Sequence, residues 1–227
     1  MLTGMGVRKS VVRQGAMKMA PSVASGYVRT LLDRAIDGVG PLRPATATAD
    51  AKLVDASGDV EDAVKSLIRL HVGLAAAEGF ITNLGGVAAL AVSIPANVVG
   101  VTLVQCRLIA GIAHLRGYDL EDARVRNAIL ACILGEDEVR DLVKSSSLPS
   151  SPMAIATSPV HDPALDELIS REVTTDLVAR TAGRRAVTMV GRRVPLLGGV
   201  VGGGSDALTT WQIGQYAARE LRDRNLR

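Results

Sequence analysis

The sequence predicts an all-α protein: a compact, Gly/Ala-rich multi-helix domain around a very apolar central helical hairpin. Three observations carry that prediction. Apolar residues recur at helical spacing from about Asp59 onward. Gly and Pro fall between those runs rather than within alternating strand patterns. Only 2% of the 227 residues are aromatic, which disfavours a β-sandwich and also proteins that stack nucleic-acid bases on rings. With 48% hydrophobic and 22% charged residues the chain has the means to build a core, so global disorder is excluded.

Residues 1–37 read as helical in patches, interrupted by Gly4, Gly6, Gly15 and Pro21. Residues 38–50 hold two prolines and little periodicity, and read as a linker. A basic N-terminal arm and Pro-containing linker over 1–56 is thus expected before a helical domain over 57–227. The arm has basic residues without a following apolar run, so a cleaved secretory signal is not expected.

A helix is expected from Asp59 to Glu78. Val60, Val64, Leu67, His71, Leu74 and Glu78 fall on one stripe, with Asp62, Lys65 and Arg69 opposite. Gly79–Cys106 then runs for 28 residues without a charge, long enough to cross a bilayer. Gly85-Gly86, Pro95 and the polar Asn83, Asn97 and Gln105 argue against one simple span. A membrane hairpin and the core of a soluble bundle both fit such a segment. Pro95 suits the first turn of a helix that Gly117 stops.

Asp119 is expected to cap the next helix, which ends at Gly135. Residues 145–163 form a Ser/Pro-rich loop, expected to be mobile. Asp162-Pro163 starts a helix reaching about Met189. Val194–Ser205 is uncharged and holds five glycines. Its Gly198/Gly202 and Gly199/Gly203 spacing suits close helix packing better than a phosphate loop, which would need a GK[ST] ending. Trp211 to Arg224 is the last amphipathic helix.

Candidate functional residues fall in two groups. His71 and Glu78 interrupt one apolar stripe. Arg107 lies on another, with Ala96, Gly100, Leu103, Gly111 and His114. A lone buried carboxylate is costly, so Glu78 is expected to pair with Arg107. Asp206 at the start of the last helix is a further member. This group is either structural or a polar pocket for a headgroup or for acid–base work. The second group is Arg180, Arg184, Arg185, Arg192 and Arg193, a basic block without an acid beside the uncharged glycine-rich stretch. Apolar insertion beside cations is the physics of attachment to anionic membrane. The net charge is +3 and the pI near 9.1, with an acidic block over 119–141. The mean hydropathy of +0.25 keeps the membrane question open.

Cys106 and Cys132 lie in apolar helical patterns, as buried thiols do, and have no zinc-ligand spacing. Neither a metal nor a cofactor is expected. GxSxG, HExxH and SxxK signatures are absent from the sequence, which lowers an enzymatic reading.

One combination of motifs resembles the EcsC protein family. It comprises a small-residue helix, the Gly85-Gly86 break, the Ile94-Pro95 step, Ile112-Ala113 leading to Gly117-Tyr118-Asp119-Leu120, and a following helix to Glu136. The distal Val194–Ala217 segment resembles the family's Pro/Gly-rich turn and closing helix. The likeness covers about 57–227. The family often has an acid before its Pro, where this chain has Ser93-Ile94, so no role is carried over for that acid. The resemblance implies a bacterial, helical, membrane-associated protein, with no established reaction and no catalytic residue.

The leading expectation is a cytoplasmic protein, peripheral to or partly inserted in the inner membrane, that binds anionic lipids or a membrane protein. An enzyme acting on a lipid or apolar substrate through Glu78 and Arg107 is the second. A soluble scaffold is the third. Nucleic acid is not expected as a partner, since the arginines lack a reading motif.

Overall fold

A computed structural model of the chain describes residues 21–77, 96–191 and 198–222, with side chains over 26–77, 96–181 and 204–222. The described residues form nine helices and no strand: α1 (Pro21–Asp37), α2 (Ala45–Asp55), α3 (Val60–Ala76), α4 (Ala96–Leu115), α5 (Ala123–Leu134), α6 (Glu136–Lys144), α7 (Pro152–Ala156), α8 (Pro163–Gly191) and α9 (Gly198–Glu220). The all-α fold is as the periodicity predicts.

α4 is the axis of the molecule. Every residue from Val98 to Ala113 is buried, and α1, α2, α3, α5 and α9 all pack against it. Among the described residues it alone is long and apolar enough to cross a membrane, yet it is 94% buried by its neighbours. The described half of the apolar hairpin is therefore the core of a bundle. The other half, with Gly85-Gly86, lies outside the described residues. α4 ends as expected: Gly117 takes φ +75°, its N–H donates to His114 O and the Tyr118 N–H donates to Ala113 O, a Schellman stop.

Close approach fixes the neighbours' directions. A Cβ on Gly111 would meet Leu67 Cδ2 at 2.7 Å and Ala49 Cβ at 3.6 Å. One on Gly214 would meet Leu108 Cδ2 at 2.9 Å and Ile68 Cγ1 at 3.1 Å. Thr210 pairs with Gln105, and Ala218 with Arg116. So α9 runs parallel to α4 and α3 runs against both. One end of the bundle gathers the C-terminus of α3 with the N-termini of α4 and α9. Six residues join α8 to α9, so the α8 C-terminus lies within about 25 Å of that end.

Several sequence expectations need correction. Residues 38–50 are not a linker. Gly38, at φ +93°, opens a tight Val39–Leu42 turn, and α2 follows with Ala45 and Ala49 buried against α4. Small alanines pack here by contact with Gly111, and leave no bulky periodicity to read. α1 is one continuous helix with Val28, Leu31, Leu32, Ala35 and Ile36 inside. Residues 1–20 lie outside the described residues. Asp122, not Asp119, caps α5, accepting from the Arg124 N–H at 2.8 Å, while Asp119 accepts from Glu121 in the preceding turn. The Ser/Pro loop holds α7 and buries Leu148, Pro152, Ile155 and Ala156. α6 forms a further helix after Gly135. α9 begins at Gly198, well before Trp211. The surroundings of Gly198, Gly199, Gly202 and Gly203 lie outside the described side chains.

The two kinds of glycine predict opposite mutational outcomes. Gly111→Leu is expected to lower stability by about 1–3 kcal/mol through overpacking against Leu67. Gly204, helical with open space around it, is expected to gain about 0.5–1 kcal/mol as Gly204→Ala. Denaturant unfolding of both variants checks this; a neutral Gly111→Leu would contradict the close packing.

Candidate functional site

The candidate residues arrive at the core from four helices. His71, on α3, is 1% exposed, and its Nδ1–H donates to the Leu67 carbonyl at 2.8 Å. Burial lowers its pKa to about 4; the bond to Leu67 opposes that shift and the Arg107 cation adds to it. His71 is therefore a neutral imidazole at physiological pH. Arg107, on α4, is 2% exposed. It donates through Nη1 to Ala35 O at 3.3 Å and through Nη2 to Thr48 Oγ1 at 3.2 Å. Nε has no hydrogen-bond partner. Burial lowers its pKa too, but a guanidinium stays charged. Ala35 lies in the last turn of α1, where carbonyls lack helical partners and the helix dipole is negative, so Arg107 terminates α1 and ties it to α4.

The stripe prediction for α4 holds in an unexpected setting. Arg107, Gly111 and His114 do share a face, and that face meets α2: Arg107 at Thr48, Gly111 at Ala45 and Ala49, and His114 Nε2 at Asp50 Oδ1, 2.7 Å away. The expected partner Glu78 lies outside the described residues. α3 ends at Ala76, so the helical register that placed Glu78 on the His71 stripe stops two residues before it.

Arg180, read from sequence with the outward basic block, turns inward. Its Nε pairs with Asp176 at 2.7 Å, Nη2 donates to Ile133 O at 2.9 Å, and Nη1 donates to Gln105 Oε1 at 3.3 Å. Gln105 Nε2 in turn donates to Thr210 Oγ1 at 3.2 Å. Asp206, one turn before Thr210 on α9, also faces inward at 9% exposure. Arg184 and Arg185 lie on the last third of α8, and their side chains are outside the described set, as are Arg192 and Arg193.

Two charged groupings were not legible in the sequence. Asp166 Oδ1 accepts from Asn127 Nδ2 at 2.7 Å and lies 2.9 Å from His161 Nε2 and 3.2 Å from Arg29. These bonds and charges lower the Asp166 pKa against the opposing effect of burial. Arg116 donates to Ala218 O, Leu221 O and Glu61, clamping the end of α9. Apart from His161 and Asp166, these partners lie 39 or more residues apart and leave no local motif.

The chemistry available is limited. Cys106 and Cys132 are free and fully buried, and burial pushes the Cys106 thiol up to about 12 and raises that of Cys132. Neither is a nucleophile at neutral pH. Among the described residues no group of three or more His, Cys, Asp or Glu side chains could hold a metal ion. An open cleft of about 450 Å³ at the far end of α4 is lined by Asp37, His114, Asp119 and Glu121 among others, and does not reach His71, Arg107 or Asp206.

Fold and site together define a helical bundle wound around one buried apolar helix, whose interior cations terminate neighbouring helices. The profile of the EcsC protein family matches residues 58–226, and the chain belongs to that family. No curated protein and no solved structure matches the chain. The family match begins after α2, although α1 and α2 pack on α4 as closely as the helices within it.

His71 supplies a pH test. Its pKa is depressed in the folded protein, from 6.5 to about 4, so the unfolded chain binds the extra proton first. The neutral ring's contribution is complete above pH 6.5 and is lost as pH falls toward 4, by about 3 kcal/mol in all. Unfolding free energies across that range should fall less steeply for His71→Gln than for the unmutated chain. Parallel slopes would contradict the buried neutral ring.

Proposed function

We propose that this EcsC-family protein is a peripheral membrane protein that attaches to anionic lipid on the cytoplasmic face of the inner membrane. The observation that carries the reading is a juxtaposition. Residues 177–205 hold Arg180, Arg184, Arg185, Arg192 and Arg193 and no acid. This stretch leads into the N-terminus of α9. At that same end lie the last turn of α3 and the first of α4, which the uncharged sequence 79–95 connects. Arg180 is paired inside, so the reading assigns the phosphate contacts to Arg184, Arg185, Arg192 and Arg193. Burial of α4 supports peripheral attachment rather than a span through that helix.

Each cation near an anionic surface contributes about 1 kcal/mol. Such attraction is screened over about 8 Å at physiological ionic strength, so binding should weaken with salt. Flotation should recover the protein with phosphatidylglycerol-rich liposomes and far less with phosphatidylcholine. Arg184→Glu with Arg185→Glu should weaken that partition at least about tenfold. Equal recovery of both proteins at low salt would remove the arginines from the account.

A further inference from the structure

The outward face of α9 is unusual for a helix in contact with water. Between Val194 and Ala218 the sequence has one charged residue, Asp206, and that residue is turned inward. Among the described side chains of α9 the exposed positions up to Ala218 are Gly204, Ser205, Leu208, Trp211 and Gln212, all uncharged, and Arg219 follows in the last turn. Leu208 is 56% exposed and Trp211 48%. Surface helices carry charges on such a face. In α6 the exposed positions include Glu136, Asp137, Arg140, Asp141 and Lys144. Leu208 and Trp211 are three residues apart and so sit side by side on the helix surface.

We propose that this face of α9 lies in the plane of an anionic bilayer, with Leu208 and Trp211 at the boundary between headgroups and acyl chains. The inference rests on the membrane reading above and names the surface that makes contact. Trp presents an apolar body and one N–H donor, the combination that suits a membrane–water interface. A helix face that is uncharged from Gly204 to Ala218, with its one exposed cation, Arg219, held by Glu136 in the last turn, suits in-plane attachment beside cations. The flanking cations in the chain are Arg184 and Arg185, near the end of α8, and Arg192 and Arg193, in the six-residue connection to α9. Charge complementarity therefore selects an anionic lipid surface.

Trp211 is the only Trp in the chain, so the intact protein carries its own reporter. Its fluorescence would be followed on adding vesicles of phosphatidylglycerol and phosphatidylcholine in equal parts, with and without brominated phosphatidylcholine. Binding would be measured separately by flotation. The expected result is a blue shift of Trp211 emission on binding and its quenching by the brominated lipid. Leu208→Glu, which changes an exposed side chain, should keep the melting temperature and bind about tenfold more weakly. Flotation without a Trp211 shift, or with undiminished Leu208→Glu binding, would overturn this inference and leave the membrane reading standing. Failure of the protein to float would overturn both. Emission that is already blue without lipid and moves red on dilution would place a second copy on the face, and would also overturn it.

Discussion

The complete burial of α4 is the constraint on which the rest of the structure depends. A helix apolar on all sides cannot be covered by one neighbour, and here α1, α2, α3, α5 and α9 surround it. Covering it at interior density requires some partners to approach very closely. Gly111 admits Leu67 and Ala49, and Gly214 admits α9 to Leu108 and Ile68. The polar groups on α4 must then be satisfied inside the protein: Thr102 donates to Val98 O, Gln105 to Thr210, and Arg107 to Ala35 O and Thr48.

Three inward-facing arginines answer a second need that the packing creates. Helices ending inside a bundle leave carbonyls without partners. Arg107 meets Ala35 O at the end of α1, Arg180 meets Ile133 O at the end of α5, and Arg116 meets Ala218 O and Leu221 O at the end of α9. In each case a cation lies at the negative end of a helix dipole. Part of the basic balance of the sequence is thus consumed in the interior. Net charge alone overstates what remains for an external anion.

Much of the fold was legible because bulky residues at helical spacing and Gly/Pro stops are local signals. The stop at Gly117, the helix start at Asp59 and the start at Asp162-Pro163 are all found where the sequence places them. α2 was illegible for the opposite reason: in ALA/THR-rich 45–50 the packing residues are too small to stand out, and Pro41 and Pro44 mimic a linker. For the site, the sequence located Arg107, Gly111 and His114 on one face correctly, since that follows from helical geometry. It could not supply the facing helix, because Thr48, Ala49 and Asp50 lie about sixty residues earlier in the chain. Arg180 was misread as outward because its partners Gln105 and Ile133 are equally remote, although Asp176 one turn earlier was a local hint.

The position of α9 has a consequence for biosynthesis. α9 covers α4 and the adjoining face of α3, yet it leaves the ribosome roughly a hundred residues after α4 does. At translation rates of about 5–20 residues per second, α4 waits on the order of ten seconds for its last cover. During that interval a nascent chain presents a twenty-residue apolar helix that passes for a membrane span by length and composition. Factors that shield apolar segments at the tunnel exit would cover α4 during that interval, and slowing elongation after Leu115 would lengthen the exposure.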